Sequence, residues 1–543
     1  MNENKGAGHS GESWLGRESD RGWQRSRRHT PGVIGVCLVV ILATALTLVV
    51  TPGARASPSS LGAATVKVPC GGSIQAAINA AHSGATILLA SCTYVQQLTI
   101  DKSVDIVGAG AGKTIIQSPA ILAPDEYGNL WIIELGNGAS VTVTGVTVLV
   151  TLQCLVVYPG TGLPYASGGI GVGGSASLNL GSSVITTTGM PEGAACSGGV
   201  TTYGTGVDFG LDYVVGTPPA SALLGYGGVS QVRVSGFGFT GPGIEIGGLA
   251  NAPAGSNAVI SQSAIFLSAD ANPGLAAVLV GGGGNANTAT LDHDFVDGQA
   301  ATYSDTIASV AGTVTVTHST ILGAPGGCGV CAAFSGFADV EYNSVLAGPG
   351  GAGLFGGYGG SLVALHNLIL GNTSAARFPY GTVSTGVLLE FAASATVSDN
   401  TIGQMECEYN PTYVSEALCG PDWATQYQAA AIYNLDNSPG PFVETNNLIY
   451  SSDVGVLSYY GCSQCMVTGN VVVDPVDYGL DGIDGSYNFG PNLIIGGAYG
   501  VGAVAYSVDT TLTLSHVVIV GQSVAPSYYE IDFTGGTATV VGT

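Results

Sequence analysis

Four successive stretches place apolar residues in a fixed relation to one small polar residue: ATLDHDFVDG, VTVTHSTILG, ADVEYNSVLAG and SLVALHNLILG, all within residues 289–371. Superposed on Asp294, Ser319, Asn343 and Asn367, the copies are offset by 25, 24 and 24 residues. Leu291, Val316, Val340 and Ala364 stand three before the anchor, and Val296, Ile321, Val345 and Ile369 two after it. The phase continues at Asn400, Asn447, Asn470, Asn492 and Val517, the last three steps being 23, 22 and 25 residues, and more loosely upstream at Ser263, Phe237 and Val146. Self-similarity at such a period marks stacked units.

A unit of about two dozen residues, rich in β-branched residues and Gly, predicts one coil of a parallel β-solenoid with two or three short strands. Each strand points one side chain in and the next out, and each coil pairs with those above and below. A leucine-rich repeat needs a different Leu and Asn spacing, and a propeller blade needs about 40 residues. Asn at the anchor predicts a buried ladder whose amides bond to backbone and to the next Asn. Asp294, at the same position, reads as structural. At this repeat length the chain makes about 14 to 16 coils, a rod about 70 Å long at the spacing of paired strands.

Before the array, residues 33–50 form an 18-residue run without charge, preceded by the basic stretch RGWQRSRRHT and followed by Ala54-Arg55-Ala56. Basic lead, apolar run and small-x-small site describe a cleaved secretory signal; the run is also just long enough for a retained membrane anchor. Ser26-Arg27-Arg28 hints at twin-arginine export, although His29-Thr30-Pro31 departs from its apolar continuation. Residues 1–56 are therefore expected as signal or anchor, 57–100 as an N-terminal cap with first strands, and 101–543 as the solenoid, outside the cytoplasm in either case.

Cysteine usage agrees with export. Apart from Cys37 in the apolar run, ten of the 11 cysteines remain and fall as near neighbours: Cys70 and Cys92, Cys154 and Cys196, Cys328 and Cys331, Cys407 and Cys419, Cys462 and Cys465. They read as five local disulfides. A zinc site shared by the two C-x-x-C pairs would have to bridge five to six coils, about 25 Å, and is excluded. The chain has 12 Lys and Arg against 36 Asp and Glu, net −24. After Ala56 only Lys67, Lys102, Lys113, Arg233 and Arg377 are basic. Such a surface repels nucleic acid, anionic lipid and polyuronate, and leaves the membrane reachable only through an uncleaved N-terminal segment.

Ile74, Ala77, Ile78 and Ala81 keep helical spacing, predicting a short amphipathic helix from near Ser73 to near Gly84, followed by strands at ATILLA, QLTI and VDIVGAG. Helix, strands and repeats together resemble the right-handed parallel β-helix proteins of the pectate-lyase-like and pectin-esterase-like superfamily over residues 65–543. The resemblance implies an all-β right-handed parallel β-helix whose open end the helix plugs. It does not select an activity, because this fold carries lyases, hydrolases, esterases, epimerases, adhesins and tailspikes.

Subfamily motifs are incomplete. Asp294 to Ala300 is similar to the aspartate motif of pectin esterases, but their Gln-Asp and Gly-Arg-Pro-Trp motifs are missing. A lyase base would have to be Arg233 or Arg377, and neither lies in a family motif. The Asn-x-Asp, Asp-Asp and Gly-His-Gly set of polygalacturonases is absent. Tyr478-Gly479-Leu480-Asp481 resembles the motif of alginate epimerases without the His that follows it there.

A face remains. With Val207, Ile244, Val330, Leu354, Val456, Leu480 and Val501 inward on one strand, the residues after them point out: Asp208, Glu245, Cys331, Phe355, Leu457, Asp481 and Gly502. In the resembling proteins this sheet lines the substrate groove. Asp208 and Glu245, one or two coils apart, with Asp481, are the candidate catalytic carboxylates for acid–base work on a glycosidic bond. They could instead be calcium ligands, calcium being the one cofactor the resemblance raises, or solvated charges of an acidic protein. His293, His318, His366 and His516 all precede the anchor; such a column could bind metal, but only His293 and His318 fall on adjacent coils, and the four read as exposed turn residues. The repeat lengthens at 119–135, 150–225 and 403–428, expected as loop insertions. Aromatic residues there and near the face, Trp131, Tyr409, Trp423 and Tyr459, are candidates for stacking on sugar rings.

Two functions fit: an enzyme, a glycoside hydrolase or lyase-like protein acting on a neutral extracellular or cell-wall polysaccharide, or a noncatalytic surface or adhesive solenoid.

Overall fold

Buried and less buried side chains alternate with period two along most strands of two of the sheets, and the alternation repeats from coil to coil, whereas strands of the third, such as Ala276–Gly281 and Cys328–Ala333, are buried throughout. The computed structural model describes residues 64–125, 128–151, 166–188, 203–211, 223–237, 241–247, 255–268, 276–282, 286–301, 303–371, 384–406, 429–435, 441–460, 464–504, 510–521, 531–534 and 536–543. Each coil gives one strand to each of three parallel sheets. Sheet A has 17 strands, from Thr65–Val68 to Thr537–Val541; sheet B has 15, from Thr93–Val95 to Val518–Val520; sheet C has 15, from Leu98–Ile100 to Ile531–Thr534. Every strand pairs with its counterpart one coil away, as Val316 does with Leu291 and Val340. The chain is an all-β, right-handed parallel β-helix.

Inward side chains fill one continuous core of Val, Ile, Leu and Ala. Each fully buried branched side chain contributes about 1.5–3 kcal/mol, which a coil repeats three or four times. At the first end, Ser73 caps the helix Ile74–Ala80 by accepting from Ala76 N at 3.0 Å, and Ile74 and Ile78 press on the first coils. The helix stops at Ala80, earlier than the spacing suggested, because the Ala81 N–H already closes onto Ala77 O and Ile78 O.

The corner between sheets A and B carries the expected ladder. The residue before each anchor is left-handed, with φ of 58° at His293, 49° at His318, 58° at Tyr342 and 57° at His366, and this turns the chain sharply. The anchor then points inward. Asp294 N donates to Ser319 Oγ (3.0 Å), Ser319 N to Asn343 Oδ1 (2.8 Å), and Asn343 N to Asn367 Oδ1 (2.9 Å). The same bond recurs through Asn400, Asn447 and Asn470 to Asn492. Asn343 Nδ2 donates to Val316 O at 2.8 Å and Asn367 Nδ2 to Val340 O at 2.7 Å, so buried amides and buried backbone satisfy one another. Asp294 accepts from Ser263 N and Asp292 N, and burial pushes its carboxyl up to about 7.

Three expectations need correction. Phe237 is not an anchor: it ends the strand Arg233–Phe237, and Val232, whose N–H donates to Ser263 Oγ at 3.2 Å, holds the anchor position. Residues 150–225 are not one insertion, since they contain the coil strands Ala166–Val172, Ala176–Gly181, Val184–Thr187 and Tyr203–Phe209. Trp131 likewise sits on the sheet C strand Leu130–Leu135 and not in a loop. Tyr409 and Trp423, most of the 403–428 stretch, the apolar N-terminal run, and Cys154, Cys196, Cys407, Cys419 and Cys462 lie outside the described residues. Cys70 and Cys92 are joined with Cα atoms 5.8 Å apart, Cys328 and Cys331 with Cα atoms 5.9 Å apart, and Cys465 is also disulfide-bonded. No helix among the described residues is long and apolar enough to cross a membrane.

Candidate functional site on the outer face of sheet C

In sheet C the inward column runs through Val207, Ile244, Val278, Ile307 and Val330, all fully buried. The residue after each faces outward, and the register sets these residues in one line. Glu134, Gly171, Asp208, Glu245, Leu279 and Ala308 come first, and the line reaches Leu457, Asp481 and Gly502 farther along. Asp208 and Glu245 are direct neighbours, with backbones about 4.8 Å apart at the spacing of paired strands. Asp481 lies eight coils beyond Glu245, about 38 Å at that spacing, and does not join them.

These carboxylates are not solvated charges. Asp208 is 2% exposed, Glu245 1% and Asp481 0%. The outer face is therefore covered, whereas the sequence suggested an open groove. Next to the pair, Thr205 Oγ1 donates to Glu245 Oε2 at 3.2 Å, and Glu134, one coil before Gly171, is half-buried. Trp131 completes this patch. A Cβ at Gly171 would come within 2.6 Å of the indole ring and one at Gly168 within 2.5 Å of it, so the two glycines let the ring lie across the next coil. Leu211 and Leu223 pack with it.

A second patch surrounds Asp481. Tyr478 and Tyr499 stack with centroids 4.7 Å apart, and Tyr433 and Leu457 pack alongside. Tyr459, one of the sugar-stacking candidates, is half-exposed on the strand Val454–Tyr459 and meets Tyr460 edge-on. Its hydroxyl is held well above the usual phenol range, first by the hydrogen bond to Tyr460 and then by burial.

Two clusters among the described residues have metal-ligating groups in reach of one another. In one, Cys328 Sγ lies 3.2 Å from Asp305 Oδ1, and burial lifts the Asp305 carboxyl to about 6. The disulfide to Cys331, three residues on in the same strand Cys328–Ala333, occupies that sulfur, so this group is not free to hold a metal. The other is Asp292 with His293 and His318, whose imidazoles are exposed as the sequence predicted.

Sequence reading missed Glu444. It points into the core between Val397 and Val467, is fully buried, and stands three before Asn447 where other coils carry apolar residues. That departure from the repeat was the available signal. Burial pushes its carboxyl up to about 7, with Asn434 favouring the charged form; Asn434 itself donates to Ser458 Oγ at 3.1 Å.

Residues 307–517 match the family model described as the right handed beta helix region. Among curated proteins, none has a significantly similar sequence. Several solved structures are similar over most of the chain. The A-module of mannuronan C-5 epimerase AlgE4 from Azotobacter vinelandii is 13% identical, covering 86% of this chain and 94% of its own, with a TM-score of 0.32. A PL6 alginate lyase in complex with a trisaccharide is 12% identical, covering 87% and 86%, with a TM-score of 0.40. A tailspike protein of E. coli bacteriophage HK620 is 12% identical, covering 82% and 74%, with a TM-score of 0.39. At these values the chemistry of this chain must be argued from its own residues.

Proposed function

We propose that this protein acts on a neutral extracellular polysaccharide, with Asp208 and Glu245 as the paired carboxyl groups that hydrolyse a glycosidic bond. The observation that carries the reading is their adjacency in register on the outer face of sheet C, beside the Trp131 indole. One carboxylic acid protonates the leaving oxygen while the other, as carboxylate, attacks the anomeric carbon; water, deprotonated by the first residue now acting as base, then displaces the ester carboxylate and restores both groups. Carboxyl groups about 5 Å apart belong to the retaining geometry, and side chains leaving neighbouring coils in register can reach it. Thr205 orients Glu245 through its hydroxyl. The net charge of −24 favours a neutral over an acidic chain. Calcium bridging the two carboxyls belongs to the proposal only if chelation alters glycan binding, which EDTA treatment of the wild type measures. Export belongs to it as well, and sequencing the N-terminus of the secreted chain tests cleavage after Ala56.

The burial of Asp208, Glu245 and Trp131 favours a second reading, a noncatalytic surface solenoid in which the patch fastens a covering segment. A panel of neutral polysaccharides assayed for new reducing ends separates the two. Hydrolysis that Asp208→Asn and Glu245→Gln each reduce at least 100-fold supports the enzyme. Glycan binding without hydrolysis, or hydrolysis indifferent to both substitutions, removes the assignment.

A further inference from the structure

We propose that Asp292, His293 and His318 form a binding site for one divalent transition-metal ion of the zinc, nickel or copper type, on the corner between sheets A and B and remote from the face described above. Left-handed backbone at His293 and His318 stacks the two imidazoles from successive coils, with ring centroids 4.9 Å apart and planes inclined by 16°. Their Nδ1 atoms both turn to the same carboxylate: His293 Nδ1 is 2.9 Å from Asp292 Oδ2, and His318 Nδ1 is 3.1 Å from Oδ1. One ligand atom from each of the three residues thus lies within 4.8 Å of the others.

The carboxylate is itself positioned. Thr317 Oγ1, one coil on, donates to Asp292 Oδ1 at 2.8 Å, the outer-shell support that ligating carboxylates need. Two imidazole nitrogens and one carboxylate oxygen suit zinc, copper or nickel; calcium requires six to eight oxygens. The side chains of His293, His318 and Asp292 are 60%, 52% and 43% exposed, which leaves open positions for water and lets the rings tilt until both lone pairs converge on the ion. The acidic surface raises the local cation concentration.

The column also sets a limit. Tyr342 stacks between His318 and His366, at 5.6 and 4.8 Å, so His366 stands outside the ligand set. Metal binding would tie two successive coils together through side chains.

The test uses the full chain without a histidine tag, stripped with chelator and dialysed, then titrated calorimetrically with Zn²⁺ and Ni²⁺. We expect one ion per chain, with affinity lowered at least tenfold in His293→Asn and in His318→Asn and unchanged in His366→Asn. Asn tolerates the left-handed turn, so the fold survives. Cu²⁺ spin resonance should show two nitrogen ligands in the wild type and one in each of the first two variants. Absence of binding in the wild type, or equal affinity in all three variants, overturns the proposal.

Discussion

The corner between sheets A and B and the outer face of sheet C both bury polar side chains, and they do so in opposite ways. At the corner the same small set of residues returns coil after coil, each amide meeting the next at 2.9–3.0 Å from Asn343 to Asn492. On the outer face the line changes identity at every step, from Glu134 through Gly171 to Asp208, Glu245 and Leu279. Repetition is what a stack of coils demands of a residue that holds coils together. A polar residue occurring once in the line has no such duty and is free to carry chemistry. Glu444 shows the hazard of mixing the two, being a single carboxyl at a position that the rest of the array keeps apolar.

Breaking the repetitive side should have the largest effect. Asn367→Ala removes the acceptor for Asn343 N and the donor to Val340 O, leaving buried backbone groups unpaired. We expect a loss of about 3 kcal/mol or more, read as a fall in denaturation midpoint. Glu444 comes next. Its folded value of about 7 lies above the ordinary 4.5, so the folded form holds the proton more tightly. Its contribution to stability is complete below pH about 4.5 and is lost as pH rises to about 7, a change of about 3 kcal/mol. Glu444→Gln should flatten that slope in denaturation series at pH 5, 6, 7 and 8; an unchanged slope assigns the pH dependence to other groups. Gly171→Ala drives a methyl into the Trp131 ring and should cost about 1–3 kcal/mol by the same measurement. Asp208→Asn and Glu245→Gln should be the mildest for stability, within about 1 kcal/mol, while abolishing glycan turnover. A stability loss comparable to that of Asn367→Ala would make the pair part of the scaffold and erase the contrast.

Much of this was legible because stacking forces periodicity. The anchors from Asp294 to Asn492, the apolar positions around them, and the adjacency of His293 and His318 follow from counting residues. That Asp208 and Glu245 share one line followed from setting Val207 against Ile244, with one coil or two left open between them; the register makes it one. Phase was lost at Phe237 because Val232 offers no polar atom to mark the anchor, and Ser183, which accepts from Val146 N at 3.3 Å, was overlooked within a stretch taken for a loop. Burial of the outer face was not legible, since local spacing says which way a side chain points and nothing about what lies over it.

The 24 residues from Asn343 to Asn367 begin and end in the same chemical situation, each anchor accepting from the coil before and donating to the coil after. Duplicating or deleting such a segment would rejoin like to like, altering the rod's length and no kind of bond. Growth of the gene by whole turns is therefore cheap for the scaffold, whereas one residue added inside a strand turns the rest of that strand's side chains to the wrong side of the wall.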